Sequence, residues 1–175
     1  GDETVLVIEN HYLGSVIERD QFDTFYHEHP RTYSLESFQV IARRISCAVI
    51  SAEFPARYGG NIRVFLQRKS SSIEHNEKQL LLSQYHEKEK RFIDRLMLMG
   101  DRIECWKLNK TQQITEMNTM FGPLRAKAFP GRAAILVKML GIDIDSVESV
   151  YEKPGSLKLG HYLPGTHIEI LSDDQ

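Results

Sequence analysis

The run Thr4-Val5-Leu6-Val7-Ile8 constrains the fold more than any other stretch of the sequence. It is apolar and largely β-branched without alternation, the pattern of a strand buried on both faces. A buried strand needs neighbours on both sides. The chain is therefore expected to begin inside a larger sheet, with residues 4–9, 47–54 and 62–66 sharing one sheet and part of the protein lying outside this sequence. The following residues agree. Phe38, Ile41 and Ile45 recur at helical spacing across 35–45, behind Ser34 as N-cap. Residues 47–54 read as a strand ended by Pro55, Tyr58-Gly59-Gly60-Asn61 is a turn by composition, and Ile62, Val64 and Leu66 alternate as one face of a further strand. Strand, loop, helix, strand, turn, strand is the order of one edge of an α/β sheet.

From residue 73 to residue 120, charged positions alternate with Leu80, Leu81, Leu82, Tyr85, Phe92, Ile93, Leu96 and Met99. This predicts one long helix, or two broken near Gly100. The run Glu87-Lys88-Glu89-Lys90-Arg91 within it reads as a solvated helix face. Residues 131–140 form a short helix closed by Gly141, and 147–151 and 167–171 read as strands. The segment between those strands, 152–166, is dense in glycine and proline and long for a compact domain, which is where binding function tends to lie. The predicted fold is α/β: the edge of a Rossmann-like sheet, a long helical segment, and a small C-terminal α/β (Rossmann-like) domain. The corresponding division is 1–69, 70–120 and 121–175.

Composition narrows the function. A formal net charge of -2 shows no excess of Lys and Arg to favour a phosphate backbone, so nucleic acid is not an expected partner. No apolar run approaches the ~20 residues of a membrane helix, and with no basic-then-apolar stretch in the sequence a signal peptide is not expected. Cys47 and Cys105 are too few and too far apart for a disulfide framework or zinc ribbon. They are expected to act as small, mostly buried hydrophobes in a reducing cytoplasm.

The chemistry concentrates in Phe22-Asp23-Thr24-Phe25-Tyr26-His27-Glu28-His29, stopped by Pro30. Pro30 disfavours helical geometry at His29, placing it where an element ends. A histidine there, beside a glutamate that can fix its tautomer, suits a general base near neutral pH, and a neighbouring tyrosine can donate to a developing enolate oxygen. A polar loop without chemistry is the plain alternative. His27 and His29 could supply half of a metal site, but no third ligand stands at motif spacing and none is assigned. Elsewhere, Gly59-Gly60-Asn61-Ile62-Arg63 is either a hairpin turn or a place where backbone approaches a ligand. Arg132 opens a helix, where it either holds phosphate with the amide groups or is solvated. Lys158, in the Gly/Pro loop, is comparable. No dinucleotide glycine fingerprint or Walker lysine is present.

These motifs, FDTFYHEH followed by Tyr33-Ser34-Leu35, then YGGNIRVFL, then KLGHYLPGTHIEIL, resemble the C-terminal part of the SAM-dependent sugar C-methyltransferases over nearly the whole chain, in family order. The resemblance implies a zinc-binding segment, a Rossmann-type domain for S-adenosylmethionine (SAM), and a C-terminal α/β domain, acting on nucleotide-linked 4-keto deoxysugars. It implies catalytic roles for Tyr26, Glu28 and His29, with His29 taking the proton beside the ketone and the enolate attacking the SAM methyl. Gly60, Asn61, Arg63, Arg132 and Lys158 are then the candidate substrate contacts. The cysteine-rich segment and glycine-rich SAM loop have no counterpart here, so SAM is a cofactor of the full-length family and is not expected to bind this chain alone. The family commonly shows GAPAR or GAPAK where this chain has Ala128-Phe129-Pro130-Gly131-Arg132, a departure that alters or closes that pocket.

The leading expectation is thus the C-terminal portion of a C-methyltransferase, partnered by a nucleotide-sugar and a missing N-terminal SAM domain. A non-catalytic sugar-nucleotide-binding or assembly module is the alternative, and a metal-dependent hydrolase at His27 and His29 a third reading.

Overall fold

A computed structural model describes residues 3–26, 29–68, 76–127 and 132–174. The chain divides into two compact units, Gly1–Asp101 and Arg102–Gln175. Both are α/β. Among the described residues there are five α-helices and two three-stranded sheets, and no helix is long and apolar enough to cross a membrane.

In the first unit, β1 (Val5–His11), β2 (Cys47–Glu53) and β3 (Asn61–Arg68) lie in the order β1-β3-β2. Both outer strands run antiparallel to β3 and so parallel to each other. The alternation read from the sequence holds, since Ile62, Val64 and Leu66 are each fully buried. They meet Leu35, Phe38 and Ala42 of α2 (Leu35–Arg44), with Ile17 of α1 (Leu13–Glu18) and Tyr12, the residue before that helix, completing the core. Ser34 begins α2 as expected. Its hydroxyl accepts from the Ser37 amide at 3.1 Å while the Ser37 hydroxyl accepts from the Ser34 amide at 3.0 Å, a reciprocal cap that satisfies two otherwise unpaired donors.

The second unit is a parallel sheet, β4 (Leu124–Lys127), β5 (Val147–Glu152) and β6 (Glu169–Ser172), in sequence order. Its core is Val137 of α5 (Ala133–Leu140) against Val147, Val150, Leu163 and Ile168. Gly141 closes α5 in the left-handed conformation, at φ 63°, the glycine stop read from the sequence.

Several expectations are corrected. The apolar start of β1 is not buried on both faces: Val5, Leu6 and Val7 are 42%, 47% and 50% exposed, because β1 is an edge strand paired only with β3 in this sheet. The segment before the YHEH cluster is not simply a loop, since it holds α1 and a 3₁₀ turn, Phe22–Thr24. The helical segment breaks at Lys90 and Arg91, between α3 (Asn76–Glu89) and α4 (Phe92–Phe121), and not at Gly100. A glycine in an exposed helix costs only about 1 kcal/mol, too little to end a helix of this length. Cys105 is exposed rather than buried, being on a solvent-facing turn of α4. The short strand β4 escaped the sequence reading altogether, and β6 starts two residues later than expected.

The break has a cause in Glu89, the one member of the charged run that is not solvated, at 7% exposed. Its carboxylate turns inward and accepts hydrogen bonds from the Leu35 and Glu36 amides at 2.7 and 2.9 Å. Negative charge at a helix N-terminus is favoured by the helix dipole as well as by these bonds. Phe92, immediately beyond, enters the core. On the same side, Tyr85 stacks on Phe54 with centroids 3.6 Å apart. Burial, followed by the nearby Glu89 charge, raises the pKa of the Tyr12 hydroxyl above its ordinary value. Glu89→Ala should destabilise the chain by roughly 1–3 kcal/mol, the cost of leaving buried donors unpaired, and Glu89→Gln by less, since its amide oxygen still accepts. Urea denaturation monitored by circular dichroism measures both, and a Glu89→Ala midpoint equal to wild type would refute the cap.

Candidate active site

Beyond its apolar start, β1 turns polar. The register sets Glu9 opposite Arg63 and His11 opposite Asn61. Cross-strand partners project to the same face, so this strand pair places four polar side chains together on the face opposite Ile62 and Val64.

Glu9 organises them. Its Oε1 accepts from Arg57 Nε at 2.7 Å and Asn61 Nδ2 at 2.8 Å, and its Oε2 accepts from Arg63 Nε at 2.8 Å. Arg63 reaches on to Glu53 at 2.9 Å, tying β2 to the same network. The Asn61 hydrogen bond above all, then those of Arg57 and Arg63, holds the Glu9 carboxyl at about 2, down from 4.5, against the opposing effect of desolvation. Arg57 lies in a 3₁₀ turn, Arg57–Gly59, whose exit, Gly60, has φ 118°. Only glycine adopts that conformation readily, and a side chain there would also strike Ser15. The turn is anchored on both sides, by the Tyr12 amide on the Gly60 carbonyl at 3.2 Å and the Asn61 amide on the Pro55 carbonyl at 2.8 Å.

His11, at the carboxyl end of β1, meets the YHEH segment. The His29 ring stands edge-on to His11 with centroids 4.9 Å apart and edge-on to Tyr26 at 5.2 Å. A backbone turn, the His29 amide on the Tyr26 carbonyl at 2.9 Å, holds Tyr26 and His29 together. Their approach to β1 is fixed just downstream, where the Leu13 amide donates to the Tyr33 carbonyl at 2.9 Å and the Tyr33 amide to the His11 carbonyl at 3.4 Å. The consequence is three adjoining rings, two imidazoles and a phenol, at the end of a strand. Such a group can move a proton and donate to an oxygen that gains charge.

Of the residues singled out in the sequence, Tyr26 and His29 are thus adjacent, while Glu28 and His27 lie outside the described residues. Gly60, Asn61 and Arg63 sit together at the turn. Arg132 and Lys158 belong to the second unit: Arg132 precedes α5, and Lys158 pairs with Glu152 at 3.0 Å. A cavity of about 650 Å³ between α4 and α5 in that unit is lined by Leu108, Met139 and Leu140 beside Lys107 and Lys138, not by Arg132 or Lys158. The expectation about Phe129 falls outside the described residues. Among those residues, no three His, Cys, Asp or Glu side chains gather as a metal site.

The family model of the C-methyltransferase C-terminal domain matches residues 56–175, more than half of the chain. The chain belongs to this family. No curated protein matches it. The C-methyltransferase match begins just before the Arg57–Gly59 turn, so it covers Asn61 and Arg63, whereas Glu9, His11, Tyr26 and His29 precede it.

Sequence reasoning missed Glu9, His11, Arg57 and Glu53. One signal was available for His11, because Glu9-Asn10-His11 follows the apolar run directly and so places polar side chains at the end of a strand. The Glu9 hub predicts a pH dependence. A carboxyl whose pKa is depressed on folding adds stability above its unfolded pKa and loses it as pH falls through the folded value. The stability difference between wild type and Glu9→Gln should therefore be largest above about pH 5 and shrink between pH 4.5 and about 2. Thermal unfolding across that range measures it, and a difference independent of pH would contradict an ionised Glu9 hub.

Proposed function

We propose that this chain carries the proton-transfer centre and sugar-side domain of a C-methyltransferase acting on a nucleotide-linked keto-deoxysugar, with His29 as the base. The observation that supports this most is the convergence of His29, Tyr26 and His11 at the end of β1, in a chain of the C-methyltransferase family. In this reading a His29 ring nitrogen removes the proton from the carbon beside the ketone. The C–H electron pair becomes the enolate, and the Tyr26 hydroxyl donates to the enolate oxygen. His11, packed edge-on, holds the His29 ring in place. Glu28 is assigned to fixing the tautomer of His29.

SAM supplies an electrophilic methyl group in such chemistry. The glycines around the candidate site do not fit it. A SAM site calls for glycine backbone open to the nucleotide, yet a Cβ at Gly14 would meet the Tyr12 ring, one at Gly59 the Gln21 side chain, and one at Gly60 the Ser15 hydroxyl. The crowded glycines of the first unit are thus packed by the chain's own side chains. We assign SAM binding to sequence outside this chain. The same observation favours the second reading, a sugar-nucleotide-binding module without catalysis.

Proton abstraction separates the two, because it needs no methyl donor. In D₂O the chain should exchange the hydrogen beside the ketone of a dTDP-4-keto-6-deoxyglucose, followed by NMR. His29→Ala should lose about 10²–10⁴-fold of that rate, the usual contribution of a general base. Tyr26→Phe should lose less, since water can partly replace the oxyanion donor. Binding without exchange in the wild-type chain would support the non-catalytic reading.

A further inference from the structure

Asn61 carries an anomaly that the Glu9 hub does not resolve. The residue is 7% exposed, and its Oδ1 is buried without a hydrogen-bond partner among the described residues. The assignment of oxygen and nitrogen in such an amide is normally open to a flip. Here it is forced: the Glu9 carboxylate, ion-paired with Arg57 and Arg63, is an acceptor only, so the amide must turn its Nδ2 toward Glu9 at 2.8 Å and its oxygen away. Buried polar atoms in native structures are paired almost without exception, so an orphan at this position calls for a missing donor. Gln21 repeats the arrangement at the same turn. Its Nε2 donates to the Gly59 carbonyl at 3.3 Å, and its Oε1 is buried without a partner. Two amides from different elements thus spend their donors on protein and leave their acceptors unused beside one glycine turn.

The place matters as much as the count. Asn61 is the cross-strand partner of His11, whose ring abuts His29. A ligand that occupies the base is therefore one side chain away from an acceptor of fixed direction. We propose that Asn61 is a specificity-determining residue that reads a hydroxyl or amine hydrogen of the substrate, with its orientation set by Glu9. This rests on the sugar reading above and deepens it: the substrate must carry a hydrogen-bond donor near its reacting carbon, and an analogue with an acceptor or hydrogen at that position is selected against. Glu9 itself, sequestered by Arg57 and Arg63, is a positioning residue.

The test is calorimetric binding of dTDP-glucose, UDP-glucose and analogues of the tighter one that each lack one sugar hydroxyl, to the full chain. Asn61→Leu, nearly isosteric, should weaken the parent roughly 2- to 12-fold, the equilibrium worth of one neutral hydrogen bond. One deoxy analogue should bind wild type and Asn61→Leu equally, because its contact is already lost. Glu9→Gln frees the Asn61 amide to flip and should erase discrimination against that one analogue while retaining binding of the parent, which keeps the test open if Asn61→Leu fails to fold. A uniform loss across all analogues in Asn61→Leu, or unchanged discrimination in Glu9→Gln, overturns the assignment and leaves the sugar reading standing. Absence of binding by wild type to every member overturns both.

Discussion

The polar half of the first unit depends on one carboxylate. Glu9 sits on an edge strand, yet it accepts hydrogen bonds from the turn before β3 and from β3 itself, and through Arg63 it reaches β2. Pairing it with only one arginine would leave the other cation and the Asn61 amide to find water on a partly buried face. Binding all three donors lets a charge remain at the rim of the sheet without a desolvation penalty large enough to neutralise it, which is why its carboxyl titrates far below the ordinary range. The position of the glycine turn, the direction of the Asn61 amide and the attachment of that turn to the carboxyl end of β1 follow from this arrangement.

A second carboxylate, Glu89, does comparable work on the opposite side of the sheet. It closes the N-terminus of α2 from the end of α3. α2 follows the segment that carries Tyr26 and His29, and Tyr33, just before the helix, is hydrogen-bonded to the backbone around His11. The YHEH segment is therefore held at its far end by a helix whose own start is fixed twice, once by Ser34 and once by Glu89. Candidate catalytic side chains on a short irregular stretch acquire a defined place from such supports.

The sequence made some of this readable and hid the rest for physical reasons. Ser34, Ile62, Val64, Leu66 and Gly141 act as their local chemistry dictates, because capping, strand alternation and left-handed glycine stops are decided within a few residues. Glu9 and Glu89 are decided by partners between 48 and 54 residues away. Within its own run each looks like an ordinary solvated charge, and no periodicity separates Glu89 from Glu87, which pairs with Lys90 on the surface. The strand β4 was hidden by its length, four residues with Arg125 and Lys127 facing solvent. The break after α3 was hidden for the same reason as Glu89, since it exists to turn that carboxylate inward.

The candidate site shows the same division. Tyr26 and His29 were legible because a histidine before proline, beside a tyrosine, is unusual chemistry for a loop, and the structure brings the two rings together. His11 was not, because the apolar run before it invited a reading of the strand rather than of its end. Its adjacency to His29 is set by the backbone and not by the rings: the Tyr33 carbonyl accepts from the Leu13 amide and the Tyr33 amide donates to the His11 carbonyl, so the segment that carries His29 can only meet β1 at its end, and the edge contact of the two imidazoles follows from where the chain is tied.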